Sequence, residues 1–185
     1  MKKTVLSALL LAAAPFANAA DYVVDTDGAH ASINFKISHL GYSYIVGRFN
    51  QFDGKFSYDA AAPEASKISI NIDPASVDTN HDRRDKHVSS DDFLDVSKFT
   101  TASFSSTSVK DLGDGKLAVN GDLTVHGVTK PIVINVAKVG EGQDPWGGYR
   151  AGFTGSTEFK LGDFGIKMFP DSKITFDLHI EGVRQ

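Results

Sequence analysis

The residues best suited to chemistry lie together in one charged segment, residues 80–93, which reads NHDRRDKHVSSDDF. In the overlapping run DTNHD, two aspartates and an asparagine match the first, third and fifth positions of a calcium loop. The sixth position is arginine instead of glycine, and the twelfth is serine instead of glutamate, so we predict no calcium site. The two histidines are six residues apart, which does not align ligands on one helix face. A transition-metal site would need His30 or His39 brought in by the fold.

Hydrolysis is the second chemistry that these residue types allow. The chain contains neither a G-x-S-x-G nucleophile elbow nor an H-E-x-x-H helix. A catalytic triad is defined by geometry, which the abundance of serine, histidine and aspartate does not supply. A secreted hydrolase therefore stays as an alternative that needs a serine or a metal-bound water beside His39, His81 or His87. The main prediction is that the chain is not an enzyme.

The basic residues of the segment allow two interpretations, and the sequence does not decide between them. Arg83, Arg84, Lys86 and His87 are interleaved with four aspartates. Most such runs are solvated, salt-bridged helix faces. Alternatively, Arg84 or Lys86 pairs with a phosphate or another polar headgroup at the mouth of a barrel.

The other histidines are interpreted from their position on the predicted strands. His126 and His179 fall on the polar face and are predicted to be solvated. His30 begins a strand, where a structural hydrogen bond is expected. His39 lies on the apolar face of its strand, just before Gly41, which predicts a histidine at the rim of a barrel.

The N-terminus has the three parts of a secretory signal peptide. Lys2 and Lys3 precede an apolar run at residues 5–14, and small residues end in an A-x-A site at residues 17–19. The run is too short to span a bilayer. We therefore predict a signal peptide at residues 1–19, one domain at residues 20–185, and a periplasmic location, with secretion beyond the periplasm as the lesser possibility.

Charge and cysteine content exclude several classes of function. Without the two N-terminal lysines the formal net charge changes from −4 to −6, so no broad attraction for nucleic acid is expected. The chain contains no cysteine, which excludes disulfides and thiol chemistry. We also predict no stable insertion into a membrane.

Alternation of apolar and polar residues is the main structural signal. In ASINFKISH, residues 31–39, one face is apolar and the other polar, as in a half-buried strand. The same pattern recurs at residues 52–58, 67–73, 101–109, 117–125, 132–136, 151–161 and 174–180. Roughly eight long strands with short connections predict an all-β protein, either a sandwich or a closed antiparallel barrel.

The alternation is interrupted between the third and fourth of these runs. Residues 80–96 fit helical turns better than a strand, with Val88 packing beside Phe93 or Leu94. Asp78 or Asn80 is expected to cap the first turn, and Ser89 or Ser90 a second. The charged segment is therefore predicted to be a short helical excursion that covers one end of the barrel.

Several motifs, taken together and in order, resemble one known family. They are DGAHASINFKISHLGYSYIVGRFNQFDGKF, SVDTNHDRRDKHVSSDDFLDVSKF, ASFSSTSV, GDLTVHGVTKPI, DPWGGYRAGF and LGDFGIK. The chain resembles the YceI-like family of periplasmic polyisoprenoid-binding proteins over essentially all of residues 21–185. DPWGG and the ending IEGVRQ favour a position near the eponymous member of that family.

The resemblance implies an eight-stranded, lipocalin-like antiparallel barrel whose hydrophobic pore holds a long isoprenoid or similar lipid. The ligand class implied is an isoprenoid such as a quinone or a prenyl phosphate, with no other cofactor. Small inward residues, Gly54, Gly121 and Gly155, are expected to leave width for the chain. A barrel with a solid core that works through its surface is the second alternative.

Two groups of ligand-binding residues are predicted from strand parity and from the position of the excursion. The pore residues are Ile33, Phe35, Ile37, His39, Phe52, Phe56, Phe104, Phe153, Phe159 and Phe176. The mouth or headgroup residues are Tyr42, Tyr44, Arg84, Lys86 and His87, with Asp85 and Asp92 holding the basic side chains by pairing.

Overall fold

Over residues 19–185 the fold is an antiparallel β-structure with one short α-helix. A computed structural model describes residues 19–185, so the predicted signal peptide lies outside the described residues except for its last position. The elements are β1 (Ala20–Val24), β2 (Ser32–His39), β3 (Ser43–Phe49), β4 (Phe52–Tyr58), β5 (Lys67–Ile72), β6 (Val77–Asp78), α1 (Asp82–Val88), β7 (Ala102–Gly113), β8 (Lys116–Val125), β9 (Val128–Gln143), β10 (Tyr149–Lys160) and β11 (Lys173–Arg184).

The strands form one sheet that closes into a barrel. The order is β1-β4-β5-β7-β8-β9-β10-β11, and β1 also pairs with β11, which completes the ring of eight strands. Three of the eight positions in the barrel are each filled by two strands separated by a short break: β1 and β2, β3 and β4, and β5 and β6. At the first of these positions, the first half of β11 pairs with β2 and its last residues pair with β1. The predicted eight-stranded antiparallel barrel is confirmed, and closure leaves few strand edges exposed.

The strand register explains why the alternating sequence makes a core. Phe35 pairs with Phe176 across β2 and β11, and their rings lie 6.1 Å apart. Phe56 and Phe153 meet edge to face with ring centroids 5.6 Å apart. Because side chains alternate between the two faces of a strand, each apolar series points inward together. The interior is therefore lined from every side by aliphatic and aromatic residues.

The barrel has two ends that differ in construction. We define the excursion end by the connections at residues 40–42, 79–101, 126–127 and 161–172. We define the terminal end by the connections at residues 59–66, 114–115 and 144–148, together with the first residue of β1 and the last of β11. The two long connections both lie at the excursion end.

The helical excursion is shorter than predicted. Its only α-helix is α1, of seven residues, and the chain continues in turns as far as Phe99. The predicted caps were wrong: His81 is the N-cap, and its Nδ1 accepts a hydrogen bond from the Arg84 amide at 3.2 Å. The physical reason is that Asn80 adopts a left-handed conformation, which makes the following residue the last extended one before the helix.

The prediction that Gly54 and Gly121 leave open width in the barrel is wrong. A Cβ at Gly121 would collide with the ring of Phe104, and one at Gly54 would collide with Ile70. Both glycines are therefore covered by the larger side chain of the neighbouring strand. Gly155 does line the interior, where a Cβ would lie 3.1 Å from Cγ2 of Ile134.

None of the helices in residues 19–185 has the length and apolar character needed to cross a membrane.

Candidate functional site

The barrel encloses a cavity of about 200 Å³ that is lined almost entirely by apolar side chains. Every strand that closes the barrel except β1 contributes to it, as does the connection before β11. Among the described residues that line it there is no aspartate, glutamate, lysine or arginine. The lining residues that carry a hydroxyl group are Ser57, Tyr58, Ser66, Thr154 and Thr157.

The cavity is elongated along the barrel. On β11 it is lined from Ile174 to Ile180, six residue steps of about 3.4 Å each, or about 20 Å in all. It reaches Ser66 at the terminal end and Leu94 at the excursion end. An elongated apolar space accommodates a chain-like apolar molecule better than a compact polar one.

Six of the ten predicted pore residues line this cavity: Ile33, Phe56, Phe104, Phe153, Phe159 and Phe176. These six residues lie on the inner face of the barrel. Their contact with a ligand stays a prediction.

The other four predicted pore residues do not line the cavity. Phe35 is buried, but its ring lies over Gly47 and beside Phe49, so it packs within the wall. Ile37 and Phe52 are only partly buried, and His39 is exposed at the end of β2. The physical reason is that the inward face of a strand faces the cavity only where the surrounding strands close around it.

Apolar residues that sequence reasoning missed close the excursion end. Leu161, Phe164 and Ile166 come from the LGDFGIK segment between β10 and β11, and all three are buried. Phe164 is only 1% exposed and packs on Phe159 at 4.8 Å between ring centroids. The available signal was three large apolar residues in a glycine-rich connection, where polar residues are usual.

A second, more polar cavity of about 340 Å³ lies at the excursion end and shares lining residues with the first. His126 and Ile166 line both cavities, so they form part of the partition between them. The prediction that His126 is a solvated surface residue is wrong. Its backbone is left-handed, and its ring packs on Phe99 at 4.5 Å, because it occupies the tight turn between β8 and β9 and not a strand.

The predicted headgroup residues lie at the excursion end, and none of them lines the apolar cavity. Arg84 is partly buried and donates from Nε to Thr79 Oγ1 and from Nη2 to the Thr79 carbonyl, each at 2.7 Å. Asp85 accepts from the amide and hydroxyl of the same threonine, so it does not orient Arg84 directly as predicted. Thr79 is buried, and a hydrogen-bonded link to a buried residue favours a structural role for Arg84.

The remaining mouth residues are exposed. His87 pairs with Asp92 at 2.9 Å, as predicted, and Lys86 points to solvent. Tyr42 is 87% exposed, and the ring of Tyr44 lies 5.6 Å below the Lys36 ammonium. Their recognition of a headgroup stays a prediction.

The terminal end carries a different set of polar groups. Lys138 lies on the inward face of β9, where its ammonium donates to Glu141 at 2.7 Å and lies 5.2 Å from the ring centroid of Tyr58. The hydrogen bond with Glu141 raises the pKa of Lys138, and burial opposes it. Lys138 and Glu141 therefore neutralise each other next to Tyr58, which lines the cavity.

The cluster that most resembles a metal site is Asp25, His30 and Glu181, whose possible ligand atoms lie within 4.8 Å of one another. Arg150 occupies this cluster: its Nη1 donates to Asp25 at 2.5 Å and to Glu181 at 2.6 Å, while its Nε donates to Asp144 at 2.8 Å. The predicted structural hydrogen bond of His30 is confirmed, to Asp25 at 2.9 Å. Because the cationic guanidinium of Arg150 lies at its centre, the cluster is an ion-pair network, and it stabilises the connection between β1 and β2.

Hydrogen bonds hold the pKa of Asp25 well below its ordinary value. The bond with His30 contributes most, and Arg150 and the Gly28 amide add to it, so that the pKa falls from 3.8 to about 2. The same network raises the pKa of Arg150, with Asp25 as the largest cause. Both shifts favour the charged forms and therefore stabilise the folded state at neutral pH.

A closed eight-stranded antiparallel barrel around an elongated apolar cavity is the architecture of the lipocalin-like, small-molecule-binding barrels. The model of the YceI-like domain matches residues 22–182. The chain belongs to the YceI-like family.

Individual relatives agree with this assignment. A UPF0312 protein of Shewanella baltica is 60% identical over 191 residues, and the alignment covers all of both chains. The crystal structure of a YceI protein from Campylobacter jejuni has a TM-score of 0.72 and 28% identity, covering 81% of this chain and 91% of that one. A polyisoprenoid binding domain from Saccharophagus degradans, implicated in plant cell wall breakdown, has a TM-score of 0.63 and 17% identity, covering 90% and 99%.

Proposed function

We propose that the protein is an exported, periplasmic binding protein that carries a long-chain isoprenoid or a similar amphiphilic lipid in the barrel cavity. The observation that carries the proposal is the cavity itself, which extends about 20 Å along β11 and whose described lining has no acidic or basic side chain apart from a histidine. Each CH₂ group that leaves water for such a lining contributes about 0.8 kcal/mol. A long chain therefore gains affinity from length alone.

The relatives support the same ligand class. The Saccharophagus domain, which shares the fold, is described as polyisoprenoid binding. Family membership supports a binding protein in place of an enzyme. The histidines named for a hydrolase do not converge: His39 is exposed on the β2–β3 hairpin, His81 caps α1 and His87 pairs with Asp92.

The direct test is native mass spectrometry of protein purified from the periplasm without detergent, followed by organic extraction. We expect one long-chain isoprenoid lipid per barrel. A protein that carries no lipid and takes up none when lipids are added would contradict the proposal and favour the solid-cored barrel that acts through its surface. An esterase activity that is inhibited by a serine-directed reagent or by a chelator would favour the hydrolase.

A matched pair of variants makes the test specific for the cavity. Thr157 lines the cavity, while its neighbour Ser156 points outward and is exposed. Thr157→Trp fills the space and is expected to abolish lipid uptake, because the added ring competes with the lipid for the same volume. Ser156→Trp adds the same ring to the outer face of β10 and should leave uptake unchanged. Equal uptake by both variants would place the lipid elsewhere.

A further inference from the structure

The hairpin formed by β2 and β3 projects beyond the body of the barrel. Along β2, the pairing with β11 extends no further than Ile37, and β3 pairs with β6 only at Arg48 and Phe49. Within the described strands, residues 38–47 therefore pair only with other residues of the hairpin. The tip, residues 40–42, belongs to the excursion end, where connections outside the sheet cover the cavity.

Exposed apolar side chains are concentrated on this hairpin. Ten large apolar residues are exposed in the part of the chain that the structure describes, and four of them lie within residues 40–46. They are Leu40 at 69%, Tyr42 at 87%, Tyr44 at 66% and Val46 at 63% exposure. Tyr44 and Val46 share one face of β3, since alternate residues of a strand point the same way. A group of apolar side chains exposed together marks a surface that contacts another molecule.

The backbone of the tip disfavours the leucine that it carries. Leu40 has a φ of +54° and Gly41 a φ of +80°, and the Tyr42 amide closes the turn by donating to the His39 carbonyl at 3.0 Å. Glycine, asparagine and aspartate adopt positive φ most readily, whereas a bulky apolar residue there costs free energy. An exposed leucine therefore suits neither the turn nor the solvent, which points to a contact outside the chain.

The charge of the hairpin indicates which surface it fits. Residues 28–52 contain two basic side chains, Lys36 and Arg48, and no aspartate or glutamate, so their formal charge is +2 in a chain of −4. At the terminal end, by contrast, the exposed Leu112 and Trp146 each have an aspartate within two residues in the sequence. Positive charge beside exposed apolar side chains is complementary to an anionic lipid surface.

The two basic side chains differ in their surroundings. The Lys36 ammonium lies 5.6 Å from the ring centroid of the exposed Tyr44. Arg48 lies at the base of the hairpin opposite Asp78, whose pKa it helps to lower, so its charge is partly neutralised. Lys36 therefore supplies the main positive charge of the patch. Tyrosine and lysine together are typical of side chains that lie at the interface of a bilayer with water.

We propose that the β2–β3 hairpin docks the protein on the surface of an anionic phospholipid membrane, with Leu40 and Tyr42 in the headgroup region and Lys36 beside the lipid phosphates. The docking is peripheral and reversible, because a few side chains enter the interface. The inference goes beyond the proposed function, since the protein can dock whether or not its cavity holds a lipid. It turns the excursion end of the barrel toward the membrane.

The first test measures co-sedimentation of the protein with vesicles of phosphatidylglycerol or of phosphatidylcholine. We expect binding to be about tenfold tighter to phosphatidylglycerol and to weaken with added salt. Leu40→Asn should weaken it about tenfold through lost apolar contact, while asparagine accepts the left-handed backbone, so thermal stability should not fall. The matched control, Leu112→Asn, makes the same replacement at an exposed site near the terminal end and should bind as the wild type does.

Tryptophan fluorescence locates the contact. The single tryptophan of the chain, Trp146, lies at the terminal end, so its emission in the wild-type protein should not change when vesicles are added. The double variant Tyr42→Trp, Trp146→Phe carries its tryptophan at the tip of the hairpin instead. Its emission should shift to shorter wavelength on phosphatidylglycerol vesicles, because the ring leaves water for the interface.

Several results would overturn the inference. They are an absence of binding to phosphatidylglycerol vesicles, equal losses in Leu40→Asn and Leu112→Asn, or a shift of the Trp146 emission without one at position 42. Self-association that Leu40→Asn disrupts, in a protein that binds no vesicles, would overturn it too and assign the hairpin to a contact between two copies. The proposed function is tested separately, by the lipid extracted from the purified protein and by Thr157→Trp.

Discussion

The two ends of the barrel are closed by different physical means. At the excursion end, apolar side chains from connections outside the sheet, including Leu94, Phe164 and Ile166, cover the cavity, and none of the charged side chains there lines it. At the terminal end, side chains on or next to strands close the cavity, including the buried Ser66 and Tyr58, whose ring lies next to the Lys138 ammonium. A high density of charged residues in the sequence therefore does not predict which residues line the cavity.

The comparison also has a dynamic consequence. Segments held by side-chain packing and a few turn hydrogen bonds open at lower free energy than strands within a closed sheet. We therefore expect hydrogen exchange to be faster at residues 89–99 and 161–172 than in β8 and β10. Lipid would then pass through the excursion end, and uniform protection of both regions would contradict this view.

The largest expected effect is at the apolar closure of the excursion end. Phe164 is 1% exposed, so Phe164→Ala should lower the free energy of unfolding by about 3–5 kcal/mol through lost burial and the space left behind. Phe169, in the same connection, is 58% exposed, and Phe169→Ala should change it by less than about 0.5 kcal/mol. Urea denaturation measures both. Similar values for the two variants would show that packing does not hold this end.

A smaller effect is expected within the charged excursion. Arg84→Ala should lower the free energy of unfolding by about 1–3 kcal/mol, because it removes two hydrogen bonds to Thr79. Arg83 is exposed on the same helix, and Arg83→Ala serves as the control with little expected change. If Arg84→Ala instead weakens binding of a polyprenyl phosphate and leaves stability unchanged, this would support the prediction that Arg84 binds a lipid headgroup.

Protonation of the Arg150 network in acid should lower the free energy of unfolding by at most about 2 kcal/mol. The pKa of Asp25 is about 2 in the folded protein against an ordinary value of 3.8, so its contribution to stability is complete above the higher value. It is lost as the pH falls from about 4 through 2, when the carboxylate is protonated. Asp25→Asn should flatten the pH dependence of stability in that range. The same replacement at the exposed Asp122 is the charge-matched control.

The smallest effect distinguishes the two serines of the terminal end in the absence of lipid. Ser66→Ala should leave the free energy of unfolding unchanged or raise it by less than about 1 kcal/mol, since it removes an unpaired buried hydroxyl. Ser57→Ala should lower it by about 1 kcal/mol, because the Lys67 amide loses its acceptor. A clear loss of stability in Ser66→Ala would show that its hydroxyl is already paired.

Much of the fold could be predicted from local patterns. Period-two alternation marked the strands, and the number of runs matched the eight positions of the barrel. Six predicted pore residues face the cavity for the same reason. The alternation gave a wrong prediction at the end of β2. Ile37 and His39 lie on the same face of the strand as Ile33, but they do not line the cavity, because the barrel does not enclose that end of the strand. It also misplaced His126, which lies in a turn with a left-handed backbone.

By itself, the sequence determined the all-β class, the apolar inner face of the barrel and the position of the one helical excursion, because each depends on residues close together in the chain. The tertiary structure alone decided which inward residues meet the cavity, that Arg84 binds Thr79, and that Ser66 is buried without a partner. Those facts depend on barrel closure and on strand register, which bring together residues that are distant in sequence.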